Sequence, residues 1–245
     1  MTDQPTLCLI HGHGVDPSIW DAVYDELSAD VQIIKPNFST SSSHETVEAY
    51  AEELYSLLQT AGIQKVVLIG HSMGGYIALA FAAKYPEMMA GLGLFHSTAF
   101  PDDEARKPKR EQAIARLTSE GTSAFIDSAV PNMFSDEHKT SMPALVDAVV
   151  TKGKQLPAEA LIAGIKAIQA RPDRTLVLKN AAYPVLIIAG KDDKLVPFEK
   201  SKELFDMPSN VQTTVLEHSG HLGMLEEPAE SVNAIRRFLI KVLAV

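Results

Sequence analysis

Short runs of β-branched and aliphatic residues recur along the chain, each separated from the next by a helix-length segment: Leu7 to Ile10, Val31 to Lys35, Val66 to Ile69, Gly91 to Phe95, Val185 to Ala189 and Val211 to Leu216. Continuous apolar runs of this length suit strands buried on both faces. Between them lie amphipathic stretches such as His44 to Ala61, where Val47, Ala51, Leu54, Leu57 and Leu58 recur at helical spacing. Strand and helix in alternation predict a mostly parallel sheet with helices packed on it.

The alternation breaks between Ser97 and Arg174. That stretch is helix-forming, is punctuated by Pro101, Pro108, Pro131, Pro143 and Pro157, and has no clear strand. It reads as a helical insertion. The pattern therefore predicts one α/β unit made of residues 1–96 and 176–245, with a helical cap at 97–175. The length agrees: 245 residues exceed one ordinary domain of roughly 150 without reaching two.

Charge sharpens this division. The chain carries 31 acidic and 22 basic residues, a net of −9, which argues against nucleic acid or an anionic membrane surface as partner. Residues 97–174 hold eleven acids and eleven bases, so the whole excess of negative charge lies on the flanking α/β parts. Within the insertion Arg106, Lys107, Lys109, Arg110 and Arg116 cluster beside Asp102, Asp103 and Glu104. A solvated helix face is the usual fate of such a cluster. Facing a cleft, it would favour anionic substrates.

A single cysteine, Cys8, excludes an internal disulfide or a multi-cysteine metal cage, and its place in an apolar run makes it a buried thiol. The segment Met1 to Pro5 has no basic patch followed by an apolar stretch, and no run approaches the roughly 18 apolar residues of a membrane span. The expectation is a soluble cytoplasmic protein.

The most informative segment is Val66-Val67-Leu68-Ile69-Gly70-His71-Ser72-Met73-Gly74-Gly75, followed by helical spacing from Tyr76 to Tyr85. It is a strand, a G-x-S-x-G turn and a helix. Such a turn thrusts the serine above the sheet edge in a strained conformation that needs small neighbours. Ser72 is thus a candidate nucleophile. A free serine hydroxyl is a weak one, so a base and an orienting acid are required. Asp192 and Asp193 follow the run Val185 to Ala189, and His218 and His221 follow the run Val211 to Leu216, so both candidate pairs emerge beyond strand ends.

On these motifs the chain resembles a serine α/β-hydrolase, in style close to the small capped esterases and the cofactor-free haloperoxidases. The resemblance implies an α/β-hydrolase fold of about six mostly parallel strands, with the cap inserted after the fourth. It selects Asp193, three residues after Gly190 and four before Pro197, over Asp192. It selects His221, in a Gly-His pair ahead of Glu226-Glu227-Pro228, over His218. It also implies that the loop His11-Gly12-His13-Gly14 supplies half of an oxyanion hole, with backbone N–H groups of His13 and Met73 converging on the developing negative oxygen. The His13 ring would line the pocket and His11 would brace the loop. The family's glycine-rich stretch after the next strand is replaced here by Pro36-Asn37-Phe38-Ser39-Thr40-Ser41-Ser42.

Competing motifs fail on spacing. The third glycine of a dinucleotide loop beginning at Gly12 would fall on Pro17, and His218-Ser219-Gly220-His221 lacks the glutamate and helical spacing of a zinc site. No cofactor and no metal are indicated. Serine at position 72 disfavours the dehalogenases and epoxide hydrolases of the same scaffold, which carry aspartate there. Trp20 reads as core, and Met133, Phe134 and Met142 as helix packing. The expected activity is hydrolysis of a small or medium carboxylic ester through an acyl-enzyme, with Ser72, Asp193 and His221 as the triad. Thioester, lactone, amide or C–C hydrolysis, cofactor-free haloperoxidase chemistry, and a non-turnover small-molecule receptor are the rivals.

Overall fold

The apolar runs do form strands: β1 (Thr6–Ile10), β2 (Ile33–Ile34), β3 (Val66–His71), β4 (Met89–Phe95), β5 (Val185–Gly190) and β6 (Val211–Leu216). In the computed structural model, which describes residues 5–244, they make one parallel sheet in the order β2-β1-β3-β4-β5-β6. The N-terminal residues 1–4, part of the segment read above for a leader, lie outside the described residues. Among the described residues no helix is long and apolar enough to cross a membrane.

Strand period two explains why the central runs are apolar throughout. Leu7, Leu9, Val67 and Ile69 face one buried cluster with Trp20 and Phe238, whereas Cys8, Ile10, Val66 and Leu68 face another with Leu54 and Phe81. Burial pushes the Cys8 thiol far above its ordinary range, so it stays protonated and inert. The edge strands differ. β6 is only half-buried over most of its length, and β2 pairs through just Ile33 and Ile34 rather than over Val31 to Lys35. Pro36 follows immediately and has no N–H for a ladder.

Helices α1 (Asp21–Leu27), α2 (Val47–Thr60) and α3 (Met73–Lys84) fill the connections before β4. α2 starts later than the spacing predicts, because the Thr46 side chain accepts the Ala49 N–H and caps it. Its buried stripe is Val47, Tyr50, Ala51, Leu54 and Leu58; Leu57 is 45 % exposed and does not belong to it. Trp20 ends a 3₁₀ turn, Pro17–Trp20, and is fully buried against Phe95.

Between β4 and β5 the chain is helical: α4 (Lys107–Ala129, kinked at Gly121), α5 (Asp136–Ser141), α6 (Pro143–Gly153), α7 (Ala158–Ala170) and α8 (Thr175–Lys179). After β5 come α9 (Phe198–Lys202), α10 (Gly223–Glu226) and α11 (Pro228–Leu243). In a parallel sheet the loops after the strand C-termini all leave from one edge, so residues 11–16, 71–73, 96–98, 190–197 and 217–222 gather there.

Candidate active site

Ser72 joins β3 to α3 with φ 50° and ψ −116°, a conformation that costs a non-glycine residue about 1–3 kcal/mol. The surroundings hold it there. Its N–H donates to Phe95 O at 3.0 Å, and its own carbonyl accepts the Ser97 hydroxyl at 2.7 Å and the Gly75 N–H at 2.9 Å. The turn closes only because residues 70 and 74 lack side chains: a Cβ on Gly70 would sit 2.2 Å from the Gly74 carbonyl.

Asp193 and His221, drawn from the loops after β5 and β6, meet as a buried pair. His221 Nδ1 donates to Asp193 Oδ2 at 2.7 Å, while Asp193 Oδ1 accepts the N–H groups of Leu195 at 2.8 Å and Val196 at 2.9 Å. Burial alone would raise the Asp193 carboxyl, but the hydrogen-bonded His221 imidazole outweighs it and holds the group well below the usual carboxylate range. Asp192 and His218, the rival candidates, are solvent-exposed, and His218 lies beside Glu137. With Nδ1 donating to Asp193, the neutral His221 ring leaves Nε2 as its acceptor nitrogen, which is buried and without a hydrogen-bond partner among the described residues. Ser72 and His221 line one cavity of about 340 Å³ and share no hydrogen bond.

Two further histidines crowd the pair, and the sequence reading gave neither a role. His71 Nε2 donates to the His221 carbonyl at 2.7 Å, fixing the loop that carries His221. His96 has φ 48° and, with Ser72, is one of the two described non-glycine residues with positive φ. Its Nδ1 lies 3.0 Å from Gly190 N and 3.3 Å from Asp193 Oδ2. One ring nitrogen cannot accept from the amide and donate to the carboxylate at once; the shorter contact to an amide that needs an acceptor decides for Gly190. His71 is the last residue of β3 and pairs with Phe95, the last of β4, so His96 follows one position beyond; only that register brings the two rings together.

Met73 opens α3, so its N–H has no acceptor within the helix, and the His13 N–H has no partner among the described residues. The His11 ring accepts the Phe38 N–H at 3.0 Å and donates to Gly12 O at 2.7 Å, bracing the loop against the segment that follows β2. The His13 ring lines the cavity and also ties it to α7, donating from Nε2 to Leu161 O at 2.8 Å. It fits beside α7 because residue 164 is glycine; a Cβ there would lie 2.6 Å from the ring.

Burial keeps His11, His13 and His71 neutral, bringing the His13 pKa down to about 4 and holding His71 well below the ordinary imidazole range. Their folded pKa values lie below the unfolded value of 6.5, so the unfolded chain takes up protons first as pH falls. The stability they contribute is complete above that value and is lost on the way down, for His13 between 6.5 and about 4. Each histidine steepens the loss by up to about 1.4 kcal/mol per pH unit. The urea midpoint should therefore fall between about pH 7 and about pH 5, and fall less in His13→Gln; equal midpoints at the two pH values would contradict this.

The His221 loop is bolted to the helical excursion by Glu226. This buried carboxylate accepts the N–H groups of Gly220 (3.1 Å), Leu222 (3.1 Å) and Ser135 (2.8 Å), and His138 Nδ1 lies 3.0 Å away. The His221 N–H donates to Met133 O at 2.6 Å, and Met133, read above as packing alone, also lines the cavity. Glu226→Ala leaves three buried amides without an acceptor at about 1–3 kcal/mol each, so we expect a loss of at least about 3 kcal/mol and a slackened His221 loop. Denaturant unfolding checks it; a loss under about 1 kcal/mol would show that the network is dispensable.

Residues 9–235 match the Alpha/beta hydrolase family. A thermophilic esterase from Thermogutta terrifontis superposes with a TM-score of 0.92 at 30 % identity, covering 97 % of this chain and 90 % of that one. The pimeloyl-[acyl-carrier protein] methyl ester esterase of Vibrio parahaemolyticus is 28 % identical over 245 residues, 96 % of this chain and 94 % of its own. Pyrrolizixenacetamide deacetylase of Xenorhabdus hominickii is 25 % identical over 251 residues, 96 % and 91 % of the two chains.

Proposed function

Because the chain belongs to the Alpha/beta hydrolase family, we propose that it is a serine esterase cleaving small or medium carboxylic esters through an acyl-enzyme. The observation that carries this is the buried Asp193–His221 pair, whose free Nε2 borders the same cavity as Ser72. An esterase at 30 % identity and a methyl ester esterase at 28 % favour an ester as the substrate.

In this reading the Ser72 hydroxyl attacks the ester carbonyl carbon and passes its proton to His221 Nε2. Asp193 holds the imidazole in the accepting tautomer and stabilises the imidazolium that forms. The N–H groups of His13 and Met73 bind the carbonyl oxygen as it becomes negative, each worth on the order of 3 kcal/mol. Collapse expels the alcohol, which takes the proton from His221, and water then repeats the attack on the acyl-Ser72 ester. Residues 97–175 act as a lid, contributing Phe125, Met133 and Ile165 to the cavity wall.

A panel of short and medium acyl esters, thioesters and amides tests the reading, with steady-state turnover greatest on the esters as the expected result. Binding seen by thermal shift without sustained hydrolysis would turn the reading toward a receptor. Faster thioester or amide cleavage would replace the ester.

A further inference from the structure

The cavity that holds Ser72 and His221 is charged in a way the chain as a whole is not. Against a net charge of −9, its wall carries Arg106, Lys109, Arg110 and Lys194 and no carboxylate. Three members of the cluster expected to form a solvated helix face line the cavity, and Lys109 is solvent-exposed as well.

These cations are incompletely neutralised. Lys109 and Arg106 have no carboxylate within 4.0 Å among the described residues, and Arg106 spends one N–H on Leu195 O at 2.8 Å. Arg110 grips Asp102 at 3.0 and 3.2 Å, but Arg171 Nη1 takes the same carboxylate at 3.0 Å. Lys194 reaches Asp136 at 2.6 Å, and Lys139 shares that carboxylate at 2.5 Å. Each of the two acids therefore serves two cations. An adjoining cavity of about 270 Å³, bounded in common by Arg106, sets Asp102 and Asp103 against Arg106, Arg171 and Lys200. The surplus is thus greater at the cavity that holds the nucleophile.

We infer that the substrate carries a carboxylate close to its scissile ester, as in a half-ester of a dicarboxylic acid or a hydroxy acid acylated on its hydroxyl. This rests on the esterase reading above. Lys109 and Arg106 receive the carboxylate, and the apolar part of the wall at Phe125, Met133 and Ile165 takes the hydrocarbon. Lys109 is solvent-exposed and Arg106 half-buried, so their pull on an anion is partly screened by water and salt, yet it still discriminates against a neutral isostere.

Two pairs of esters separate the sources of the charge: 4-nitrophenyl hydrogen glutarate against 4-nitrophenyl pentanoate for the acyl side, and 3-butanoyloxybenzoate against phenyl butanoate for the alcohol side. Wild type should favour the charged member of at least one pair by about tenfold or more in kcat/KM at low salt, and about 0.5 M salt should shrink the ratio. Lys109→Gln with Arg106→Gln should cut that ratio by about tenfold. Because Arg106 also supports the Leu195 loop, Lys109→Gln alone must lower the ratio as well. A ratio at or below one in both pairs, or an undiminished ratio in the variants, overturns the inference. Calorimetric binding of monomethyl glutarate and methyl pentanoate to Ser72→Ala separates this outcome from failure of the esterase reading. Tighter binding of the charged ester without any turnover in wild type would leave the anion site standing and remove the reaction; equal binding of the two esters would overturn the site.

Discussion

Ser72→Ala should lower ester turnover by on the order of 10⁵- to 10⁶-fold in kcat while leaving the protein folded. The size follows from the route: without the hydroxyl no acyl-enzyme forms, and His221 can only activate water in a site arranged for a tethered nucleophile. The backbone constraints on the turn are unaffected, since the Ser72 amide and carbonyl keep their bonds to Phe95, Ser97 and Gly75. Alanine inherits the same positive φ, so stability should move by less than about 1 kcal/mol in urea unfolding. Residual hydrolysis by the oxyanion donors and the cavity is the floor expected for the variant. Turnover within about tenfold of wild type would mean that another group attacks.

Asp193→Asn should cost about 10⁴ in kcat, whereas Asp192→Asn should stay within about twofold. The mechanism is a tautomer change. An asparagine amide facing His221 Nδ1 donates rather than accepts, the ring proton moves to Nε2, and that nitrogen no longer takes a proton. Asp192 is exposed, and its backbone N–H, which donates to Ser219 O at 3.0 Å, survives the substitution. Stopped-flow or steady-state kinetics on a 4-nitrophenyl ester separates the two. A loss from Asp192→Asn equal to that from Asp193→Asn would reverse the assignment. Asp193 also carries a pH signature: its lowered pKa contributes stability above the ordinary carboxylate value of 3.8 that is lost as pH falls below it. The asparagine variant should lack that acid-limb dependence.

Much of this was legible in the sequence, for identifiable physical reasons. Strands buried on both faces are apolar at every position, so β1, β3, β4 and β5 stand out, and a parallel sheet must deliver its loops to one edge. Ser72, Asp193 and His221 could be placed at that edge before any coordinates. What spacing cannot carry is contact between distant segments. Glu226 looks like part of a surface Glu-Glu-Pro turn, yet it is buried because Ser135 and His138, some ninety positions earlier, fold onto it. Arg106, Lys109 and Arg110 read as solvent-facing because helical periodicity places them on one face without saying what that face meets. Leu57 erred the other way: its spacing fits the buried stripe of α2, but it lies on the exposed side. The positive φ at His96 carries no sequence signal, since only the strand register puts that ring beside Asp193.

In the proposed mechanism Ser72 is a nucleophile activated by His221. Labelling with a fluorophosphonate, followed by peptide mass spectrometry, tests it most directly because the reagent traps a serine whose neighbour removes its proton. One adduct per chain is expected, on the peptide containing Ser72, forming at least about 10³-fold more slowly in His221→Ala. An adduct on another serine, such as Ser97 or Ser219, or labelling of Ser72 at an unchanged rate in the His221 variant, would contradict it.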